Sequence, residues 1–197
     1  MKTRESGMPE EAMWDSFFDP ESILAALALD SRCVNVVEFG CGYGTFTIPA
    51  ANVVSGTVFA LDIEPEMIQA TEQRAVRFGV TNVRVLRRDF VEEGTGLPDG
   101  CVDYAMLFNI LHCEEPSRLL REAHRVLAAK GKLGIIHWRS DIPTPRGPSL
   151  DIRPTPDDCA NWAAQAGFDR LEGETILIPP YHFGIVLEKG RRIEECA

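Results

Sequence analysis

Residues 34–50 read VNVVEFGCGYGTFTIPA, and this segment decides the fold. An almost unbroken apolar run leads to Phe39, which is the pattern of a parallel strand that is buried on both faces. Glycines follow at positions 40, 42 and 44, where the absence of Cβ lets the backbone turn sharply and lie against a ligand. The residues from Thr45 to Val53 predict a helix, whose free N–H groups point back at that ligand. The segment therefore predicts a strand, a ligand-binding loop and a helix.

The spacing of these glycines distinguishes two kinds of nucleotide site. A dinucleotide fingerprint is GxGxxG, in which the third glycine allows close packing beside a pyrophosphate. Here the third position is Thr45, which disfavours a nicotinamide-dependent oxidoreductase. A tight turn between a strand and a helix can also carry glycines without any ligand, so further landmarks are needed.

Apolar strands and helices alternate along the rest of the chain. Helices are predicted over 65–79, 116–131 and 155–167, the last with a capping box at its start. The last two strands form an antiparallel hairpin around a proline turn. The sequence therefore predicts an α/β fold: a three-layer, Rossmann-like sheet of seven strands, mostly parallel with the last strand antiparallel. The predicted strands are 34–39, 57–61, 83–86, 102–108, 132–137, 170–178 and 182–188.

The first 30 residues differ in composition from the remainder. A polar start is followed by MWDSFF, which places aromatic side chains at helical spacing ahead of a second predicted helix over 21–29. An apolar surface on a terminal arm must be buried against something. We expect residues 1–30 to form a helical arm that closes as a lid over the domain of residues 31–197. The alternative is that these aromatics only cap the core.

Composition and charge narrow the classes of partner. The formal net charge of -10 argues against a nucleic-acid or anionic-membrane surface, because phosphates require clustered Lys and Arg. No apolar run is long enough to span a bilayer and the polar start is no secretory signal, so we expect a cytoplasmic protein. We expect it to be a monomer or a homodimer. The six cysteines show no zinc-like spacing, so no metal site is expected.

Polar side chains stand at the ends of consecutive predicted strands, where doubly wound sheets bind their ligands. Asp62 follows the second strand, and a carboxylate there can accept two hydrogen bonds from a ribose diol. Asp89 follows the third strand and can accept from an exocyclic amine. Ile63 and Phe90 offer apolar walls for a flat base. Together with the glycine loop, these residues predict a site for a ribose and a base.

Four motifs carry a family resemblance: EFGCGYG at 38–44, LDIEPEMI at 61–68, RRDF at 87–90 and DYAMLFNILHCEEPSRLLREAHRVLAAKGKLGII at 103–136. In this order they resemble the motifs of class I S-adenosylmethionine-dependent methyltransferases, over roughly residues 34–188. The resemblance implies S-adenosylmethionine as cofactor and S-adenosylhomocysteine as product. The residues it implies for cofactor binding are Glu38, Gly40, Cys41 and Gly42 around the methionine part, Asp62 on the ribose, Ile63, Asp89 and Phe90 at the adenine, and Asn109 near the amino group and sulfonium.

The expected reaction is methyl transfer to a small, partly apolar acceptor by in-line displacement. A sulfonium is already a good leaving group, so alignment of a nucleophile with the methyl carbon supplies much of the catalysis. His112 and His137 are candidate bases, since histidine titrates near neutrality, although either can equally be a structural histidine. The residues expected at the acceptor are Trp14, Phe17, Phe18, Trp138, Arg139, Tyr181 and His182.

Three alternatives stay open from the sequence. The chain can be a non-catalytic S-adenosylmethionine-binding module or a subunit of a larger complex, although its cofactor loop shows no damage. An RNA methyltransferase is disfavoured by the acidic composition. Cys41 and Cys113 follow neighbouring strands and could bind a soft metalloid substrate, since thiolates are soft ligands. Buried cysteine is, however, also an ordinary small hydrophobe.

Overall fold

One mixed sheet with helices on both faces forms the fold in the computed structural model, which describes residues 8–171 and 175–190. The helices are α1 (Glu11–Asp15), α2 (Pro20–Ala26), α3 (Thr47–Val53), α4 (Pro65–Arg77), α5 (Pro116–Val126) and α6 (Pro156–Gln165), with a 3₁₀ helix at Leu150–Ile152. The strands are β1 (Val36–Phe39), β2 (Val58–Asp62), β3 (Val83–Arg87), β4 (Val102–Phe108), β5 (Leu127–Trp138), β6 (Phe168–Arg170), β7 (Ile176–Ile178) and β8 (His182–Lys189).

The strand order is β3-β2-β1-β4-β5-β8-β6, with β7 also paired to β8. Strands β1 to β5 pair in parallel, and β8 pairs antiparallel with β5, as the sequence predicts. The prediction of seven strands was wrong by one. The structure replaces the single strand predicted over 170–178 with two short strands, β6, which ends at Arg170, and β7, and each pairs with a different part of β8. Residues 172–174, between them, lie outside the described part of the chain.

The order of the strands fixes where a ligand can bind. β1 lies between β2 and β4, so successive connections leave it toward opposite edges of the sheet. This is a topological switch point, and the loops beyond the carboxyl ends of the two strands diverge there and leave a crevice. The glycine loop follows β1 directly. The expected position of the site is therefore built into the topology.

Two apolar cores, one on each face of the sheet, hold the three layers together. Leu119 and Leu120 of α5 and Ala163 of α6 pack with Val37 and Phe39 on one face. The residues of the other core come from α2, α3 and the opposite side of the same strands, and include Leu24, Leu27, Phe46, Ala50, Val36 and Tyr104. Helix α2, inside the arm predicted as a lid, is thus part of the packed core, while α1 lies nearer the glycine loop.

The sequence signals locate the first residues of these helices more accurately than the last residues. Proline occupies the first turn of α2, α4, α5 and α6, where its missing N–H costs nothing. The predicted capping box is present, since Thr155 Oγ1 accepts from the Asp158 N–H and Asp158 Oδ2 accepts from the Thr155 N–H. The prediction that α5 continues to Gly131 was wrong. It ends at Val126, because Leu127 already pairs with Val102 and the chain passes straight into β5.

Within the described ranges, 8–171 and 175–190, no helix combines the length and the apolar character that crossing a membrane would require.

Candidate active site

A cavity of about 800 Å³ opens at the carboxyl ends of β1, β2 and β4. This volume is in the range of sites that enclose a ligand of drug-like size. The nine residues that the resemblance assigns to the cofactor all line it: Glu38, Gly40, Cys41, Gly42, Asp62, Ile63, Asp89, Phe90 and Asn109. The structure therefore brings together residues that lie up to 71 positions apart in the sequence.

The glycine loop makes a backbone cradle at one end of this cavity. Gly40, Gly42 and Gly44 have φ angles of 78°, 53° and 77°, in the left-handed region that glycine adopts without strain. The N–H groups of Gly40 and Cys41 both donate to the Leu61 carbonyl at 2.8 Å, which ties the loop to the end of β2. A Cβ on Gly40 would lie 3.3 Å from Ile110 Cγ2, so a side chain here would crowd the wall of the cavity.

Asp62 is held rigidly at the end of β2. Its Oδ2 accepts from the Gly42 N–H at 2.9 Å and its Oδ1 from the Glu64 N–H at 3.0 Å. Burial raises the pKa of this carboxyl above its usual value, and the backbone hydrogen bonds oppose that shift. A carboxylate has about four lone-pair directions, so two fixed hydrogen bonds leave capacity for the two hydroxyls of a ribose.

Glu38 is buried beneath the glycine loop, with 2% of its surface exposed. Thr47 Oγ1 donates a short hydrogen bond to its Oε2. Burial raises the pKa of Glu38 to about 8, and the negative charge of Asp62 adds to the shift. The side chain is therefore mostly protonated at neutral pH, and a cationic group placed beside it would favour its ionised form.

Asn109 stands at the end of β4 with φ of 58°, a left-handed conformation that asparagine tolerates better than most residues. Both Nδ2 and Oδ1 are buried and neither finds a hydrogen-bond partner within the described chain. A buried polar group without a partner costs roughly 1–3 kcal/mol. An amide side chain in this state, on the wall of a cavity, is suited to donate to and accept from a bound polar ligand.

Asp89 and Phe90 close the cavity beyond β3. Asp89 Oδ1 accepts from the backbone N–H groups of Val91 and Glu92 at 3.2 and 3.1 Å, which fixes the turn after the strand. The Phe90 ring packs edge-on against Phe39, with ring centroids 5.5 Å apart. The turn thus presents a carboxylate and an aromatic face side by side, as the accommodation of an aminated base requires.

Two histidines are in contact on the β4–β5 side of the cavity. His112 lines the cavity, and its Nδ1 lies 3.3 Å from His137 Nε2. His137 is fully buried beneath it, with Nδ1 3.3 Å from the Trp138 carbonyl oxygen. Burial, reinforced by His112, holds the pKa of His137 well below its usual value. The structure therefore places only the first of the two candidate bases where a ligand can reach it.

Comparison with known proteins agrees with this geometry. A family model described as a methyltransferase domain matches residues 36–131. A solved S-adenosylmethionine-dependent methyltransferase from Aquifex aeolicus superposes with a TM-score of 0.79 at 25% identity, covering 91% of this chain and 94% of that one. Residues 36–131 form a methyltransferase domain of the class I S-adenosylmethionine-dependent superfamily. A putative type 11 methyltransferase from Sulfolobus solfataricus also superposes with this methyltransferase domain, with a TM-score of 0.66 at 25% identity over 87% of this chain and 91% of that chain.

Among curated proteins, the ribosomal protein L11 methyltransferase of Aeromonas hydrophila is 30% identical over 123 residues. The match covers 62% of this chain but spans only 39% of that relative.

The residues of the methyltransferase domain fit S-adenosylmethionine, the cofactor of the superfamily. The Asn109 amide, which has no hydrogen-bond partner among the described residues, can bind the polar amino-acid end of the cofactor. Glu38, which is largely protonated, would ionise beside the ammonium group at that end. Asp62 and Phe90 line the same cavity, and their roles at the ribose and at the base stay predictions. The cofactor supplies an activated methyl group, and the protein supplies binding and orientation.

The residues expected at the acceptor are divided by the structure. Trp14 and Trp138 line the cavity of the methyltransferase domain. The other aromatic residues pack around these two indoles and do not line it: Phe17, Phe18, Tyr181 and His182. Arg139 is also absent from the lining and pairs with Asp141 at 2.7 Å.

His182 is the most enclosed of the residues expected at the acceptor. Its ring lies 4.1 Å from Trp138 and 4.7 Å from Phe18, and neither ring nitrogen has a hydrogen-bond partner in the described chain. Burial lowers the pKa of His182 to about 3. It is therefore neutral and supports the Trp138 ring from behind.

The sequence predicts that the arm and the proline-rich loop build the acceptor site, but it does not single out the residues of these segments that line the cavity. Met8 and Pro9 of the arm line the cavity, and so does the proline-rich loop over 143–153, including Arg146 and Arg153. A proline-rich connection without secondary-structure periodicity gives no signal for which of its side chains point inward.

Cys41 and Cys113 both line the cavity, as a site for a soft ligand would require. Thr71 Oγ1 donates to Cys41 Sγ at 3.5 Å, and burial raises the pKa of this thiol well above its usual value. A neutral buried thiol is a weak nucleophile and a poor ligand. No group of three or more His, Cys, Asp or Glu side chains arranged to hold a metal is found among residues 8–171 and 175–190.

Proposed function

We propose that this domain transfers the methyl group of S-adenosylmethionine to a small, partly apolar acceptor. The observation that supports this most is the single cavity that joins the cofactor residues to Trp14, Trp138 and His112. A domain that only bound the cofactor would not need an apolar extension beside the position of the sulfonium. The alternative, a non-catalytic binding module or a subunit of a larger complex, predicts cofactor binding without turnover.

In this proposal the nucleophile of the acceptor attacks the methyl carbon in line with the sulfur. The bond between sulfur and the methyl carbon breaks with its electron pair going to sulfur, which leaves neutral S-adenosylhomocysteine. The proton of the acceptor, where it has one, goes to a base or to water. Alignment and exclusion of water supply most of the rate enhancement, because the leaving group is already activated.

His112 is the candidate base because it lines the cavity. In the arrangement we propose, His137 Nδ1–H donates to the Trp138 carbonyl, so that His137 Nε2 accepts from His112 Nδ1–H. That places the basic lone pair of neutral His112 on Nε2. His137 then acts as a positioning residue, which sets the tautomer of His112 without touching the substrate.

The arm is proposed to close over the bound cofactor. Met8 and Pro9 line the cavity, and Tyr43 of the glycine loop donates its hydroxyl to the Pro9 carbonyl at 2.9 Å. Asp15 at the end of α1 pairs with Arg74 at 2.9 Å and accepts from Thr45 Oγ1 at 2.7 Å. These contacts attach the arm to the glycine loop and α4 through polar groups, which can release and re-form.

The experiment is transfer of a radiolabelled methyl group from S-adenosylmethionine to a panel of small alcohols, thiols, amines and acids. Purified ribosomal protein L11 serves as a separate arm, because the curated relatives that match part of this chain are named for that substrate. The proposal expects label on a small molecule and none on the protein. Tight S-adenosylmethionine binding with no transfer to any member would favour the non-catalytic alternative, and label on L11 would replace a small acceptor with a protein.

A further inference from the structure

The proline-rich end of the cavity contains a buried cation. Arg153 is 8% exposed and lines the cavity, and its guanidinium lies 5.6 Å from the centroid of the Trp138 ring. The group is fixed by four hydrogen bonds. Nε donates to the Pro148 carbonyl at 2.8 Å, Nη1 to the Arg139 carbonyl at 2.9 Å, and Nη2 to Thr144 Oγ1 at 2.7 Å and, at 3.4 Å, to the Arg146 carbonyl.

Every one of these partners is a neutral oxygen. Among the described residues, no carboxylate forms an ion pair with Arg153, although charged side chains are rarely buried unless they are paired. Burial accordingly lowers the pKa of Arg153 from its usual value. The nearby His137 and His182 are neutral, since burial lowers their pKa values too, and they offer no negative charge.

Arg153 and the acidic side chains at the glycine loop line different ends of the cavity. Arg88, just beyond β3, is a cation that lines the cavity elsewhere, and it pairs with Glu93 at 3.4 Å. The acidic side chains Glu38 and Asp62 belong to β1 and β2, at the glycine loop. Arg153 lies against Trp138 of β5, and strand β4 separates β5 from β1. Exposed Arg146 lines the same end of the cavity and adds a second positive charge.

We propose that Arg153 binds an anionic group of the methyl acceptor, and that the acceptor is a small aromatic or similarly apolar carboxylic acid. This inference rests on the proposed function. A guanidinium has five N–H donors, and the four contacts above leave one Nη1–H for a carboxylate oxygen. Trp14 and Trp138 would cover the apolar body of such an acid. The carboxylate supplies the charge that the protein itself does not place beside Arg153.

The test is calorimetric titration of the full chain, saturated with S-adenosylhomocysteine, with sodium benzoate and in parallel with benzamide. The two probes have the same ring and differ in charge. Wild type is expected to bind benzoate at least about tenfold more tightly than benzamide, the ratio that one charge-assisted hydrogen bond supports. The variant Arg153→Gln should lose this preference and bind the two probes equally.

Two matched variants distinguish an effect of the Arg153 charge on benzoate binding from an effect of the loop conformation. Thr144→Val removes a hydrogen bond that holds Arg153 but leaves its charge, so the preference for benzoate should persist. Arg146→Gln removes an equal charge at an exposed position of the same loop and should weaken benzoate binding by no more than about twofold, since exposed pairs are worth little.

The outcomes distinguish this inference from the function on which it rests. Failure of S-adenosylhomocysteine to bind overturns the proposed function itself. Binding of S-adenosylhomocysteine with no preference for benzoate in wild type overturns only the role of Arg153. Equal loss of the preference in Arg153→Gln and Thr144→Val would show that Arg153 merely shapes the loop, and would also overturn the inference.

Discussion

The two ends of the cavity are built in different ways. At the cofactor end, which comprises the glycine loop with Glu38, Asp62, Asp89 and Asn109, every polar group lies at or near the carboxyl end of a strand of the parallel sheet. At the acceptor end, which comprises Trp14, His112, Trp138 and Arg153, the side chains come from a terminal arm, a strand end and a proline-rich loop. The first is fixed by sheet topology and the second by tertiary contacts between distant segments. We therefore expect substitutions at the cofactor end to change the affinity for S-adenosylmethionine. Substitutions at the acceptor end should change which acceptors are methylated.

The largest effect is expected for Asp62→Ala. Removal of the carboxylate deletes the two proposed hydrogen bonds to the ribose and the two that hold the Gly42 and Glu64 N–H groups. Hydrogen bonds to charged groups contribute about 1.5–3 kcal/mol each, so affinity for S-adenosylmethionine should fall by about 100-fold. Calorimetric titration measures this directly. A variant that binds the cofactor as tightly as wild type would show that Asp62 serves only to shape the loop.

The protonation of Glu38 gives the next largest effect. Its pKa of about 8 means that the side chain must lose a proton to pair with the cofactor ammonium. Binding therefore releases a proton, and affinity should rise with pH by up to about tenfold per unit between pH 6 and 7.5, levelling near pH 8. Titrations in buffers of different ionisation enthalpy measure the released proton. Glu38→Gln should abolish the dependence, and a wild-type affinity that is flat over this range would contradict the assignment.

A smaller effect is expected at Asn109. Glycine tolerates the same left-handed backbone, so Asn109→Gly removes the partnerless amide without strain and should weaken S-adenosylmethionine binding about fivefold. The matched change is Asn82→Ala, whose amide donates to the Ala51 and Gly56 carbonyls. It should lower the free energy of unfolding by about 1–3 kcal/mol and leave affinity unchanged. Thermal unfolding and titration of both variants check the contrast. Unchanged affinity in Asn109→Gly together with weakened binding in Asn82→Ala would contradict it.

The smallest effect concerns the arm. Asp15→Ala removes the ion pair with Arg74 and the hydrogen bond from Thr45, and should weaken S-adenosylhomocysteine binding by about threefold. Amide exchange in residues 10–17 should quicken in the same variant. Glu21→Ala, an equal change of charge at an exposed position of α2, should alter neither quantity. If the two variants had the same S-adenosylhomocysteine affinity and the same amide exchange, the arm would have only a structural role.

What could be predicted from the sequence follows the same division. The residues predicted to bind the cofactor all line one cavity, because a strand end needs only a local apolar run and a break to be recognised, and their role in binding stays a prediction. The count of strands was wrong because β6 and β7 are separate three-residue strands, too short for periodicity to resolve. The end of α5 was misplaced because pairing of Leu127 with Val102, a contact between distant residues, overrides local helix propensity.

The acceptor end was predicted least well, and for a physical reason. Phe17 and Trp14 are both buried aromatic residues three positions apart, and only packing against Trp138 decides which one faces the cavity. Arg153 has no motif around it, and it was singled out only because no acidic partner lies beside it among residues 8–171 and 175–190. Neither property is encoded by spacing along the chain.

The most direct test of the account is parallel calorimetric titration of the purified chain with S-adenosylmethionine, S-adenosylhomocysteine and NADH. We expect both adenosyl ligands to bind and NADH not to bind, because Thr45 occupies the position of the third glycine of a dinucleotide loop. Binding of NADH, or binding of none of the three ligands, would contradict the assignment of the cofactor end.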